Sequence, residues 1–125
     1  MNRREGECLG GLEFASIAVG MEAADAVLKS APVTIPWARP VSPGKYVILI
    51  AGGVDPVKHA MQAGRAGRED WLVDDFVLPH PHADLEPAVR GERKAVPLDA
   101  VGIIETMTVA SCVGAADVAL KTALV

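Results

Sequence analysis

Apolar positions along the chain change their spacing several times, and each change marks an element. Leu9 to Ser16 is a run of apolar and small residues with little regular alternation, which predicts a strand. From Gly20 to Ser30 the apolar positions recur at helical spacing, with Met21, Ala24, Val27 and Leu28 on one face. Alanines on that face let a helix sit close to a sheet. Val33 to Trp37 reads as a strand that Pro36 assigns to a sheet edge, since proline has no N–H for a ladder. Val41-Ser42-Pro43-Gly44 has turn composition. Lys45 to Ala51 is the strongest strand, an unbroken apolar run between Pro-Gly and Gly-Gly. Asp55 then suits an N-cap and Pro56 a first helical position, with Val57, Ala60, Met61 and Gly64 at helical spacing behind them. Trp71 to Leu78 is a further strand, stopped by Pro79-His80-Pro81-His82, and Asp84 to Val89 forms a short helix. The order is β-α-β-β-α-β, an α/β (α+β) ferredoxin-like plan: a mixed sheet with its helices on one face. That plan hosts many activities, so it selects none.

The chain repeats itself. Residues 9–33 and 101–125 align without a gap at an offset of 92. They agree at Gly10/Gly102, Glu13/Glu105, Ala18/Ala110, Ala23/Ala115, Ala24/Ala116, Asp25/Asp117, Leu28/Leu120, Lys29/Lys121, Ala31/Ala123 and Val33/Val125, 10 of 25 positions. An offset of this size is too long for a solenoid unit and is the length of a small domain. The expected organisation is one domain over 9–90, a charged, proline-containing linker over 91–100, and the opening strand and helix of a second copy over 101–125.

Composition narrows the chemistry. Half of the 125 residues are apolar but only 4% are aromatic, so the core is built from Ala, Val, Leu and Ile. A net charge of −4 without a basic cluster gives nucleic-acid binding no electrostatic support. No apolar run reaches the length of a membrane span, and Met1-Asn2-Arg3-Arg4-Glu5 lacks the apolar stretch of a secretory signal. Cys8 and Cys112 have no metal-ligand or disulfide-framework spacing, which points to a reducing cytoplasm. Cys112 reads as a small buried hydrophobe and Cys8 as part of a mobile N-terminus. His59, His80 and His82 are surface residues unless the fold gathers them around a metal. Asp74 and Asp75 read as a solvated strand edge rather than a general acid/base pair. No catalytic set, cofactor motif or metal site is legible.

Three segments carry a family resemblance. Gly10 to Val33, with Glu22-Ala23-Ala24-Asp25-Ala26 and Leu28-Lys29-Ser30-Ala31, resembles the opening of the bacterial microcompartment shell domain. Residues 42–61, SPGKYVILIAGGVDPVKHAM, resemble its loop, central strand and second helix, and Leu78-Pro79-His80-Pro81-His82 is similar to a Pro-Arg-Pro-His element. With its partial second copy, the chain resembles tandem-domain shell proteins of propanediol-utilisation type, cut short in the second domain. The resemblance implies a structural tile and not an enzyme. Such tiles self-associate as trimers or hexamers of hexagonal or pseudohexagonal outline. They pack with other microcompartment shell proteins around encapsulated enzymes in the cytoplasm, and an axial pore passes small metabolites.

The resemblance also gives particular residues a role. Read alone, Lys29 and Lys121 are solvated lysines favourable to a helix C-terminus. The family places such a lysine at the tile edge, with Pro79, His80, Pro81 and His82 nearby. His80 stands where the family often has arginine, so a titratable group replaces a fixed bidentate donor. Val41, Ser42, Pro43 and Gly44, alone a simple turn, correspond to the loop around the symmetry axis that lines the pore. Some tandem relatives hold an iron–sulfur cluster through a cysteine at the position of Ser42. Serine is a poor ligand for such a cluster, so no cofactor is expected. The competing reading is a ligand-binding regulatory module on the same plan, a discrete trimer that does not tile. A small enzyme or redox carrier ranks behind it. The second copy's strand and helix either belong to a longer tandem protein, await another chain, or replace the first copy's strand and helix. Each reading buries them in an interface, because exposed they invite aggregation.

Overall fold

A computed structural model describes residues 7–92, 97 and 99–125. Residues 1–6 and part of the linker (93–96 and 98) lie outside the described residues. The strands are β1 (Glu7–Phe14), β2 (Thr34–Val41), β3 (Lys45–Gly53) and β4 (Leu72–Leu78). The helices are α1 (Ile17–Ser30), α2 (Val54–Arg65), α3 (Leu85–Val89) and α4 (Val109–Thr122), and a 3-10 turn over Glu69–Trp71 precedes β4. The ferredoxin-like order holds, with strands arranged β2-β3-β1-β4.

Every neighbouring pair is antiparallel, so the sheet is not mixed as the sequence suggested. β1 and β2 run the same way but β3 lies between them. Pro36 and Pro40 fall in β2, an edge strand, where a missing N–H costs no interior pairing.

The expectation of helices on one face is also corrected. Alternate residues of the central strands feed two cores. Cys8, Leu12, Phe14, Ile48 and Ile50 pack with Ala23 and Val27 of α1 and Val57, Ala60 and Met61 of α2. Leu9 and Leu49 point the other way, to Leu85 of α3 and Val113 of α4. Period-2 alternation thus exists in β1 and β3, but apolar residues stand on both faces, as a doubly covered sheet requires.

α1 buries Gly20, Ala23 and Val27. The predicted face was wrong: Met21 and Leu28 are 54% and 53% exposed, and of the four residues expected inward only Val27 is buried. Gly20 explains the choice. A Cβ there would lie 2.5 Å from Tyr46, so a side-chain-free position brings the helix onto the sheet. α2 buries Val57, Ala60, Met61 and Gly64 as the spacing predicts. Its N-cap is Gly53 rather than Asp55, whose carboxylate instead occupies the first turn, favourable to the dipole.

The largest departure lies in the second copy. Residues 101–106, expected to form a strand, are irregular, and Val101, Ile103 and Ile104 are exposed. A strand needs a neighbour to take its N–H and C=O groups, and among the described residues 101–106 pair with none of the four strands. Its helix forms as α4, but β1 and α1 keep their own places. The reading in which the second copy replaces the first within its own chain is therefore overturned. α4 lies instead across the opposite face of the sheet.

Candidate functional site

The described residues hold no group of His, Cys, Asp and Glu able to bind a metal ion. The densest polar chemistry is structural: it seats α4 on the sheet. Glu13, on central strand β1, is fully buried. Its Oε2 accepts from Lys45 Nζ at 2.5 Å, and its Oε1 from the backbone N–H of Ala110 at 3.0 Å. One carboxylate thus pairs a lysine and satisfies a first-turn N–H of α4, where negative charge complements the helix dipole. Asp74 on β4 adds a second. Its Oδ2 accepts from Thr108 Oγ1 (2.6 Å) and Ser111 Oγ (3.2 Å), and Thr108 caps the helix by accepting from Ser111 N. The Thr108 hydroxyl bond is the main reason the Asp74 carboxyl is held below its ordinary pKa.

Asp117 ties down the C-terminal half of α4. Its Oδ1 accepts from the backbone N–H of His82 at 2.7 Å, and its Oδ2 from Lys121 Nζ at 2.6 Å. Burial pushes its pKa up, but the His82 N–H and the bond and charge of Lys121 outweigh burial, and the net direction is down. Between these polar anchors, Val113, Ala116 and Leu120 pack against Leu9, Leu49, Leu85 and Phe76.

The residues singled out in the sequence are placed as follows. Val41 closes β2, and Ser42, Pro43 and Gly44 form an exposed turn in which Gly44 N–H donates to Val41 O at 3.0 Å. Gly44 has φ +136, a backbone region that favours glycine. Lys29 is exposed and ion-paired with Asp25 at 2.7 Å. Pro79 to His82 follow β4 and lead into α3, on the far side of the sheet from α1. Within one chain, His82 meets Asp117 and, through it, Lys121. His82 Nδ1 also accepts from Asp84 N at 3.1 Å.

Two cysteine expectations are reversed. Cys8 is buried in β1 and Cys112 is exposed on α4. Burial raises the Cys8 thiol pKa, against a smaller opposing effect of Lys58. The sequence missed Glu13, Asp74 and Asp117 as anchors. The signal was present in two of them, since Glu13/Glu105 and Asp25/Asp117 are charged identities of the internal repeat.

Comparison with known proteins agrees with this architecture. The BMC domain family matches residues 8–81. The bacterial microcompartment shell protein PduT of Citrobacter freundii is 44% identical over 115 residues, 92% of this chain and 62% of that protein. The carboxysome shell protein CsoS1B of Hydrogenovibrio crunogenus is 32% identical over 97 residues, 75% of this chain and all of that protein. A crystal structure of a microcompartments protein from Desulfitobacterium hafniense DCB superposes with a TM-score of 0.78 at 43% identity, covering 94% of this chain and 66% of that one. The chain therefore spans just under two thirds of the length of its PduT relative. With more than half of its residues matched in sequence and its fold shared at this identity, the chain belongs to the BMC domain family.

Proposed function

We propose that this protein is a structural shell protein of a bacterial microcompartment, of the tandem-domain kind, and not an enzyme. The observation that carries the reading is the joint match of residues 8–81 to the BMC domain and of the longer span to a named shell protein. The relatives give the regulatory alternative no support. In this reading the protein self-associates into trimers or hexamers and tiles with other shell proteins in the cytoplasm around encapsulated enzymes. Val41, Ser42, Pro43 and Gly44 line an axial pore for small metabolites, and the exposure of Ser42, Pro43 and Gly44 at the end of the β2–β3 hairpin supports that role. Lys29, Lys121 and the Pro79-His80-Pro81-His82 turn lie at tile edges. The second-copy segment is the beginning of a second BMC domain.

Negative-stain microscopy with a parallel solution mass tests this function. Hexagonal plates or sheets, built from units of three or six chains, are the expected result. A small oligomer that never tiles, even after extension of the chain to the length of its PduT relative, overturns it.

A further inference from the structure

The two copies of the strand–helix unit are alike in sequence, yet two glycines make them non-interchangeable. β1 and α1 meet the rest of the domain at places that leave no room for a side chain. A Cβ on Gly11 would lie 2.1 Å from the Phe76 ring, and one on Gly20 would lie 2.5 Å from Tyr46 Cβ. Adding the offset of 92 gives Ile103 and Cys112, so the second copy carries side chains at both. The other eight buried positions of β1 and α1 behave differently. There the second copy is equal or smaller in bulk, as in Ile104 for Leu12, Thr106 for Phe14 and Ala119 for Val27. Gly10, whose Cβ would lie 2.9 Å from Val57, is still glycine at Gly102. Bulk is thus added only opposite the two aromatic rings. Tyr46 belongs to the core shared with α1 and α2, and Phe76 to the core shared with α3 and α4, so the obstruction stands on both faces of the sheet.

We propose that Gly11 and Gly20 are specificity determinants: set against Phe76 and Tyr46, they admit the first strand–helix unit and bar the second from this sheet, in its own chain and in a second copy of the chain. This rests on the repeat and on contacts within one chain, not on the shell reading. Exchange of elements between copies is cheap when the exchanged units make the same contacts. Units that agree at 10 of 25 positions invite such exchange. The two contacts oppose it in different ways. Tyr46 Cβ is fixed by the backbone of β3, so no rotamer change yields space and the helix must stand off. Standing off opens the core that Ala23 and Val27 close. The Phe76 ring yields only by leaving its own core. The bar is one-sided, since the first unit meets both rings with glycine. The same comparison describes what the second unit does fit: a sheet with residues smaller than Phe76 and Tyr46 at these two points, and a helix as close to Gly102 as Val57 is to Gly10.

The test gives the first unit the side chains of the second and then makes room for them. In the 125-residue chain, Gly11→Ile with Gly20→Cys is expected to raise the unfolding equilibrium constant in urea at least tenfold. Phe76→Ala with Tyr46→Gly removes both rings. Made in the wild-type chain, this pair destabilises, because core contacts are lost. Made in the Gly11→Ile, Gly20→Cys chain, it is expected to cost at least tenfold less in the same constant, or to restore stability. A general loss of packing adds, whereas a steric pairing is non-additive. If the combined variants fail to fold, the same cycle is run on Gly20→Cys and Tyr46→Gly alone. A Gly20→Cys cost that is equal with and without Tyr46, or a Gly11→Ile, Gly20→Cys chain as stable as the wild type, overturns the proposal. Refolding of the wild-type chain from urea at rising concentration supplies a second readout. Cys112 is expected to stay open to alkylation and the α1 amides to stay protected. Concentration-dependent burial of Cys112 with loss of α1 protection would place the second unit in a neighbour's seat and overturn the proposal as well. Neither readout depends on sheet formation, so a protein that never tiles would sink the shell reading and leave this inference standing.

Discussion

Replacing Asp117 with alanine removes a carboxylate that is 3% exposed and accepts two hydrogen bonds, of 2.7 Å from His82 N and 2.6 Å from Lys121 Nζ. A hydrogen bond to a charged group contributes about 1.5–3 kcal/mol, and the partner left without an acceptor adds its own desolvation cost. Lys121 is 46% exposed and regains water, so its share is small. The seat of α4 is expected to weaken by about 2–3 kcal/mol. At 1.4 kcal/mol per factor of ten, α4 amides exchange about 30- to 140-fold faster. Hydrogen exchange read by mass spectrometry, peptide by peptide, measures this directly, and peptides of α1 and β3 are expected not to change. Acid supplies a second readout. The folded Asp117 carboxyl keeps its charge to lower pH than the unfolded one, because hydrogen bonds and Lys121 outweigh burial. Its stabilisation is therefore full above the ordinary carboxylate range, about pH 4, and is lost as pH falls through the depressed value. Asp74 shifts in the same direction and adds to the effect. Wild-type α4 is expected to open on acidification, and the Asp117→Ala protein to show a smaller acid response. Unchanged α4 protection in the variant, or equal loss of protection in α1 and α4, would refute the reasoning.

Four further outcomes follow from the same geometry. Glu13→Ala strands Lys45 and the Ala110 N–H and is expected to lower unfolding free energy in urea by about 2–3 kcal/mol, with Glu13→Gln losing less. Gly20→Ala puts a Cβ 2.5 Å from Tyr46, and thermal unfolding is expected to show a loss of about 1–3 kcal/mol as α1 is pushed off the sheet. Alkylation under native conditions is expected to modify Cys112 at once and Cys8 only after unfolding, as read by intact mass before and after denaturant. His80→Arg places a fixed bidentate donor at the proposed tile edge, so sheets are expected to form at lower protein concentration, by light scattering.

How much of this was legible depends on whether a signal is local. The six core elements were readable because each carries its own period and its own stops: the apolar run of Lys45 to Ala51, Pro36 at an edge, and the spacing of Val57, Ala60, Met61 and Gly64. The inward face of α1 was not. Two apolar stripes compete on that helix, and a hydrophobicity count prefers Met21 and Leu28, whereas close approach to Tyr46 selects Gly20 and Ala23. Both cysteines were misplaced for a related reason. Exposure is decided by which side of β1 faces α2 and which side of α4 faces the sheet, and neither follows from a lone residue.

The misread stripe on α1 nevertheless carries information. A surface helix normally turns its apolar residues inward, and a second apolar face is kept only where something covers it. In α4 the cover is visible: it is the sheet face of the BMC domain, with Glu13, Asp74 and the His82 N–H as polar anchors. Because six of the ten identities across the offset of 92 fall within α1 and α4, the two helices carry the same stripe. The pattern that misdirected the fold reading at Met21 and Leu28 is thus the one that α4 uses at Val113 and Leu120 to meet the sheet.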